Sequence, residues 1–373
     1  MIYFDSGATT LEKPKAVRRA VASAIRDCAS PGRGGYEAAM HAAEMVYACR
    51  AEAAELFETE PEQVVFTMNA THGLNLAIHS LARPGDRVVV SGFEHNSVVR
   101  PLHLTGAEVV VAGRKLFDPV DTLTAFDQAI TPQTKAVVCT HVSNVFGYVL
   151  PVEQIAALCH SRGVPFVLDA SQSAGVLPVK CSRLRPAFVA MPGHKSLYGP
   201  QGTGILLCTG PTAEPLMAGG TGSLSRQMQV PRGLPDRLGA GTHNVAGICG
   251  LLEGIRFVRA LGTEEILARE QKITRFLAQQ LGQIPGVRIF TAEDADQTGV
   301  LSILVEGQDC EQTGQLLAER GIAVRAGLHC APVAHESAGT LKSGTVRISC
   351  SVFNTMHQAR KLVSVMQRIQ KLC

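Results

Sequence analysis

The feature that narrows the fold most is a unit that recurs along the chain. It is a short β-branched apolar run, then a polar turn, then a stretch with apolar residues at helical spacing. Apolar runs lie at 63–67, 86–91, 109–111, 135–140, 165–169, 188–191 and 205–208. Segments 15–29, 37–57, 74–81 and 151–162 read as helices, the first entered through Lys13-Pro14. Buried strands alternating with helices predict an α/β fold with a mainly parallel sheet covered on both faces. With 373 residues, 46% of them hydrophobic, the chain can fill one large domain and a smaller one. Past 246–261, read as a helix, the pattern changes. A helix over 263–281 with Thr263 as N-cap, strands at 287–290, 299–305 and 346–349, and helices at 310–320 and 355–372 predict a small α+β unit. Residues 219–244 are rich in Gly, Pro and Arg and read as a long functional loop.

In a parallel sheet, ligands bind beyond the carboxyl ends of the strands. His95, Asn144, Asp169, Gln172 and Lys195 all fall just past predicted strand ends. Lys195 sits in the glycine-rich connection 191–204, between two strands. A lysine there is either a solvated surface residue or a nucleophile that forms a Schiff base. Asp169 tips the balance, because an aspartate at one strand end and a lysine at the next suit pyridoxal phosphate. The carboxylate holds the proton of the pyridine nitrogen and the lysine takes the aldehyde. An imidazole such as His95 can stack on the ring. The turn 68–75 leads into a helix, where free N–H groups favour phosphate. Thr71 and the backbone of His72 and Gly73 are the candidate donors, although Asn69 or Thr71 would serve equally as a plain N-cap. The chain carries neither a P-loop nor a Gly-x-Gly-x-x-Gly turn after its first strand.

The formal net charge is +3 with no basic stripe, so nucleic acid is not indicated. No stretch approaches the roughly 18 apolar residues of a membrane span. The N-terminus lacks a basic and an apolar region in series, which predicts a cytoplasmic protein. Eleven cysteines are scattered without a Cys-x-x-Cys pair, so no metal site is expected. Most, such as Cys139, Cys159 and Cys208, lie in apolar runs and read as small core residues. Cys330 differs: it lies in a turn before Ala-Pro and the polar stretch 334–344.

Several motifs together carry a family resemblance. They are Asp5-Ser-Gly-Ala-Thr, Ala70-Thr-His-Gly-Leu-Asn, Glu94-His, His141-Val-Ser-Asn-Val-Phe-Gly, Leu168-Asp-Ala-Ser-Gln, Gly193-His-Lys, Tyr198-Gly-Pro-Gln-Gly-Thr-Gly, Ala240-Gly-Thr-His-Asn and Arg325-Ala-Gly-Leu-His-Cys-Ala. Over nearly its whole length the chain resembles the cysteine desulfurase/selenocysteine lyase family, class V, fold-type I pyridoxal-phosphate enzymes, and is most similar to the SufS-like group.

The resemblance implies an N-terminal segment 1–14 packing on the small domain, a large cofactor domain 15–250, and a small C-terminal domain 251–373 bearing the catalytic cysteine. It implies that Lys195 holds the cofactor, Asp169 pairs the pyridine nitrogen, Gln172 bonds the phenolate oxygen, and His95 stacks and serves as acid or base. Thr71, His72 and His194 would bind the cofactor at its phosphate end. Thr242 would reach the phosphate of a neighbouring subunit, which makes a homodimer with shared sites. Asn144 and Arg347 would hold the substrate carboxylate, with Arg325 organising that end.

Cys330 would take sulfur from L-cysteine as a persulfide, leaving L-alanine, and pass it to an acceptor protein, for instance in iron–sulfur cluster assembly. A thiolate nucleophile is favoured by positive charge, which Arg325 and His329 could supply. The alternatives are a selenocysteine lyase acting on L-selenocysteine, a class V transaminase or β-lyase that forms no persulfide, and a catalytically silent partner protein. Two departures stand out. Pro192 replaces a Ser or Thr that often contacts phosphate, and Ser196 adds one residue after the lysine.

Overall fold

The computed structural model describes all residues except 33, 211–212, 293–296 and 371–373. Thirteen strands are described. They are β1 Ile2–Tyr3, β2 Val64–Thr67, β3 Arg87–Ser91, β4 Glu108–Ala112, β5 Thr134–Thr140, β6 Phe166–Asp169, β7 Phe188–Pro192, β8 Gly204–Cys208, β9 Val287–Phe290, β10 Val300–Val305, β11 Ile322–Ala323, β12 Arg325–Gly327 and β13 Thr345–Ser349.

Seven strands form the large sheet in the order β2-β8-β7-β6-β5-β3-β4. Only β8 runs against its neighbours, β2 and β7; the other pairings are parallel. The mainly parallel sheet expected from the alternation is therefore present, and β5 to β8 are buried almost throughout. From β3 the chain adds β4 on one side and then β5 on the other. That reversal makes a topological switch point, where ligands of α/β sheets bind. His95 follows β3, Asn144 follows β5, Asp169 ends β6 and Lys195 follows β7.

The helices differ from expectation mainly at their starts. The one expected from residue 74 begins at Ala70, and the one expected to be capped by Thr263 is entered from Gly262, with Thr263 as its first residue. Helices Asn96–Thr105 and Pro119–Ala129 were not foreseen. Pro101 lies inside the first, and both are short, with 10 and 11 residues. The expected end of the last helix, residue 372, lies outside the described residues; the helix is described over Met356–Gln370.

Two large packing units result. The first buries the large sheet and also takes Ile248, Leu251, Leu252 and Ile255 from helix Val245–Leu261. That helix, through which a boundary at 250 would run, packs on the large-domain core as far as Ile255, and Val258 joins a small separate cluster with Tyr198 and Ile266. The second unit joins a four-stranded antiparallel sheet, β12-β13-β10-β9, to helices Thr263–Leu281, Cys310–Glu319 and Met356–Gln370. Phe4 is buried in this second core, and β1 pairs in parallel with β11. Among the described residues no helix is long and apolar enough to cross a membrane.

Candidate active site

The lysine loop leaves β7 and returns as β8, closed by Gly193 N–H to the Thr203 carbonyl (2.8 Å) and Gly199 N–H to the Gly193 carbonyl (2.8 Å). Two glycines outside it determine how deeply it sits. A Cβ on Gly175, which adopts φ +91°, would stand 2.2 Å from the Ser196 carbonyl oxygen. A Cβ on Gly254 would stand 2.1 Å from that of Leu197. No side chain fits at either contact, so the additional residue Ser196 is held against glycine backbone.

From the opposite direction the N-terminal segment straps the loop. Thr10 Oγ1 donates to the carbonyls of His194 (3.0 Å) and Lys195 (3.1 Å), and Lys13 Nζ donates to that of His194 (2.8 Å). Thr9 Oγ1 meets His194 Nδ1 at 3.0 Å. Of these contacts, only the motif beginning at Asp5 gave any sign in the sequence.

Beyond the carboxyl ends of the strands lies a cavity of about 210 Å³. It brings together Thr71, His95, Asn144, Asp169, Gln172 and Lys195, and His194, Arg325 and Arg347 also line it. His72 and Thr242 do not. They line a second cavity of about 220 Å³ beside the start of β8, where Thr242 is exposed.

Burial lowers the Lys195 ammonium to about 8, with the Asp169 charge opposing the shift. Burial raises Asp169 above the usual carboxylate range, against the pull of its hydrogen bonds with Ser171 and the charge of Lys195. His95 falls to about 4, through burial and then the charge of Lys195. Its Nδ1 accepts from the Ser97 amide (3.0 Å) and so caps helix Asn96–Thr105. In the neutral ring that leaves the proton on Nε2.

Ser97, overlooked in the sequence, links His95 to Thr71: its hydroxyl lies 2.9 Å from His95 Nδ1 and 2.7 Å from Thr71 Oγ1. The helix start at Ala70 corrects one expectation. Asn69 Oδ1 accepts from the His72 amide (2.9 Å), and the Asn69 carbonyl accepts from Gly73 (3.3 Å). The first of those amides is taken by the cap and the second by the first intrahelical bond, and of this turn Asn69, Ala70 and Thr71 line the cavity.

Cys330 is exposed and stands beside the cavity, with Arg325 Nη2 3.9 Å from its sulfur. Its turn is strained: His329 and Cys330 both adopt left-handed φ, +50° and +57°. The surrounding contacts hold it there. The Asn96 amide donates to the Cys330 carbonyl (2.7 Å), Asn144 Nδ2 donates to that of His329 (2.8 Å), and Ala331 is buried in the large core. His329 does not supply the expected charge. Burial, with Arg347 adding to it, pushes its imidazole down to about 2, and Nε2 lies 3.1 Å from the Thr345 carbonyl. Arg325 is therefore the cation at the sulfur.

Arg347 is wholly buried; Nη1 donates to the Asn144 carbonyl (3.0 Å) and Nη2 pairs with Asp5 Oδ1 (2.8 Å). Two buried atoms of this corner, Arg347 Nε and Asn144 Oδ1, have no protein partner. Buried polar atoms left open on a cavity wall mark where a polar ligand belongs.

Comparison with known proteins agrees with this geometry. Residues 2–362 match the aminotransferase class-V family. A probable cysteine desulfurase of Xylella fastidiosa is 33% identical over 100% of this chain and 91% of its own. One from Mycolicibacterium paratuberculosis is 32% identical over 99% of this chain, which spans 55% of that longer relative. The apo cysteine desulfurase of Thermococcus onnurineus superposes with a TM-score of 0.92 at 30% identity, covering 100% of this chain and 95% of that one. With a family match over most of its length and relatives similar from end to end, the chain belongs to the aminotransferase class-V family and, within it, to the cysteine desulfurases.

Proposed function

We propose that the protein is a cytoplasmic, pyridoxal-phosphate-dependent cysteine desulfurase that converts L-cysteine to L-alanine and leaves the sulfur as a persulfide on Cys330 for an acceptor protein. The observation that carries this is the meeting, around one cavity, of Lys195, Asp169 and His95 with a buried arginine, beside an exposed cysteine paired with a second arginine. The donor set fits the cofactor. Lys195 offers an amine that burial keeps easy to deprotonate, Asp169 a buried carboxylate for the pyridine nitrogen, and Gln172 an amide for the phenolate oxygen. The start of helix Ala70–Leu81, with Thr71, suits the phosphate, and His194 stands at the same cavity. Pro192 lacks a hydroxyl, and Ser97 on the same wall supplies one.

When bound, the cofactor supplies an electron sink for the substrate's α-carbon. The protein's own residues do the rest. Arg347 receives the substrate carboxylate at its unpartnered Nε, and Asn144 offers it the second N–H of Nδ2, the first being spent on the His329 carbonyl. His95, with its proton on Nε2 and its Nδ1 fixed to Ser97, would stack on the cofactor ring and exchange protons from one defined nitrogen. Arg325 steadies negative charge on the Cys330 sulfur. The thiolate bonds to the substrate sulfur as the carbon–sulfur bond breaks, and the carbon takes a proton. One thiol and one cysteine thus become one persulfide and one alanine, with no external oxidant.

Thr242, exposed and outside its own chain's cavity, is free to complete the site of a second subunit, and we assign it that role in a homodimer.

The test is product analysis. Wild type supplied with L-cysteine should release alanine and carry a thiol-labile sulfur on Cys330, and Cys330→Ala should lose both. Alanine without any sulfur on Cys330 would sink the reading. Alanine released by Cys330→Ala from L-selenocysteine but not from L-cysteine would extend it to selenocysteine cleavage.

A further inference from the structure

The two arginines of the small domain face each other across a sheet. Arg325 on β12 and Arg347 on β13 are partners in antiparallel register, where like charges repel. Among the described residues only one carboxylate forms an ion pair with either, and it comes from the far end of the chain. Asp5 Oδ1 lies 2.8 Å from Arg347 Nη2.

Asp5 is held on both sides. It bridges to Ser349, its carbonyl accepts from the Tyr3 hydroxyl (3.1 Å) and the Ala8 amide (3.0 Å), and the Ser6 amide donates to the Ser349 carbonyl (3.2 Å). The Gly7 amide is tied to Ser349 Oγ (2.8 Å), and a Cβ on Gly7 would stand only 3.2 Å from Arg347 Cζ. The backbone that carries Asp5 is therefore fixed, and a Cβ on Gly7 would crowd the guanidinium by a few tenths of an ångström. With Nη2 on Asp5 and Nη1 on the Asn144 carbonyl, the guanidinium plane is fixed at two points. A guanidinium is a flat fork of five N–H donors, so fixing two nitrogens sets the direction of the remaining donors.

We propose that Asp5 is the positioning residue for Arg347: from the N-terminal strap it fixes the plane in which the guanidinium receives the carboxylate of an amino-acid substrate. This rests on reading the cavity as the amino-acid site of a desulfurase. It places Asp5 in binding rather than in bond breaking, and it gives the Asp5-Ser-Gly-Ala-Thr motif a task.

In the holoenzyme, Asp5→Asn should raise KM for L-cysteine about tenfold while kcat stays within about twofold. Gly7→Ala, which keeps the carboxylate but crowds the guanidinium, should raise KM in the same direction by about threefold. An unchanged KM in Asp5→Asn, or a fall in kcat at constant KM, overturns the proposal. If Asp5→Asn does not fold, Gly7→Ala decides it, and an unchanged KM there overturns it. L-Alanine, which carries the carboxylate without the sulfur, separates this idea from the desulfurase reading. Should wild type release no alanine from cysteine, the function fails. Calorimetry with L-alanine then judges Asp5 alone: about tenfold weaker binding in Asp5→Asn upholds its role, and equal binding refutes it.

Discussion

Lys195 carries an amine whose proton is loosened by burial, to about 8 against an ordinary 10.5. Only the neutral amine attacks an aldehyde. Capture of pyridoxal phosphate by cofactor-free protein should therefore quicken about tenfold per pH unit up to about pH 8 and then level off. Stopped-flow absorbance across that range checks this; a profile still rising steeply above pH 9 would mean a lysine with an ordinary affinity for its proton. The residues of this site were legible in the sequence to the degree that each stood at the end of a strand. Lys195, Asp169 and His95 did, and they share one cavity. His329 was misread because adjacency to Cys330 in sequence says nothing of burial, and burial is what makes it neutral. Ser97 was overlooked because its importance comes from lying between His95 and Thr71, a relation across 26 residues that no local pattern carries.

At the scale of elements, the lysine loop depends on its neighbours more than on itself. Helix Val245–Leu261 meets it at Gly254, where a Cβ would lie 2.1 Å from the Leu197 carbonyl. Gly254→Ala should destabilise the fold by about 1–3 kcal/mol, since the helix or the loop must retreat. The displaced loop should also release the cofactor more readily. Thermal unfolding and cofactor retention on dialysis are the measurements, and an unaltered protein would mean that the loop yields freely. The strands were legible because β-branched runs buried on both faces have few other uses. Helix starts were less so. Asn69 caps a helix that begins four residues before its apolar periodicity does, so a pattern read from hydrophobic spacing alone starts late. Helix Asn96–Thr105 takes its cap from an imidazole, a residue type seldom counted as a cap.

At the scale of the whole molecule, sharing of sites between subunits can be tested without a second structure. Lys195→Ala subunits and Thr242→Asp subunits should each be inactive, the latter because its charge repels phosphate. Mixed after unfolding and refolded together, they should regain about one quarter of wild-type activity, because half the dimers are hybrids with one intact site. No recovery would confine each site to one chain. The division into two units was visible in the sequence as a change of pattern. The strap that joins them was expected only from the family resemblance, because its hydrogen bonds run between residues far apart in the chain and leave no local pattern. That strap has a consequence for synthesis. Asp5 and Arg347 are 342 positions apart, so the carboxylate of this pair is made long before the arginine that it meets. The parallel sheet and its lysine can assemble while translation continues, since domains form as units during synthesis. The arginine corner cannot. A chain cut short before β13 keeps its lysine but lacks Arg347, so the corner that we assign to the substrate carboxylate forms only once β13 has been made.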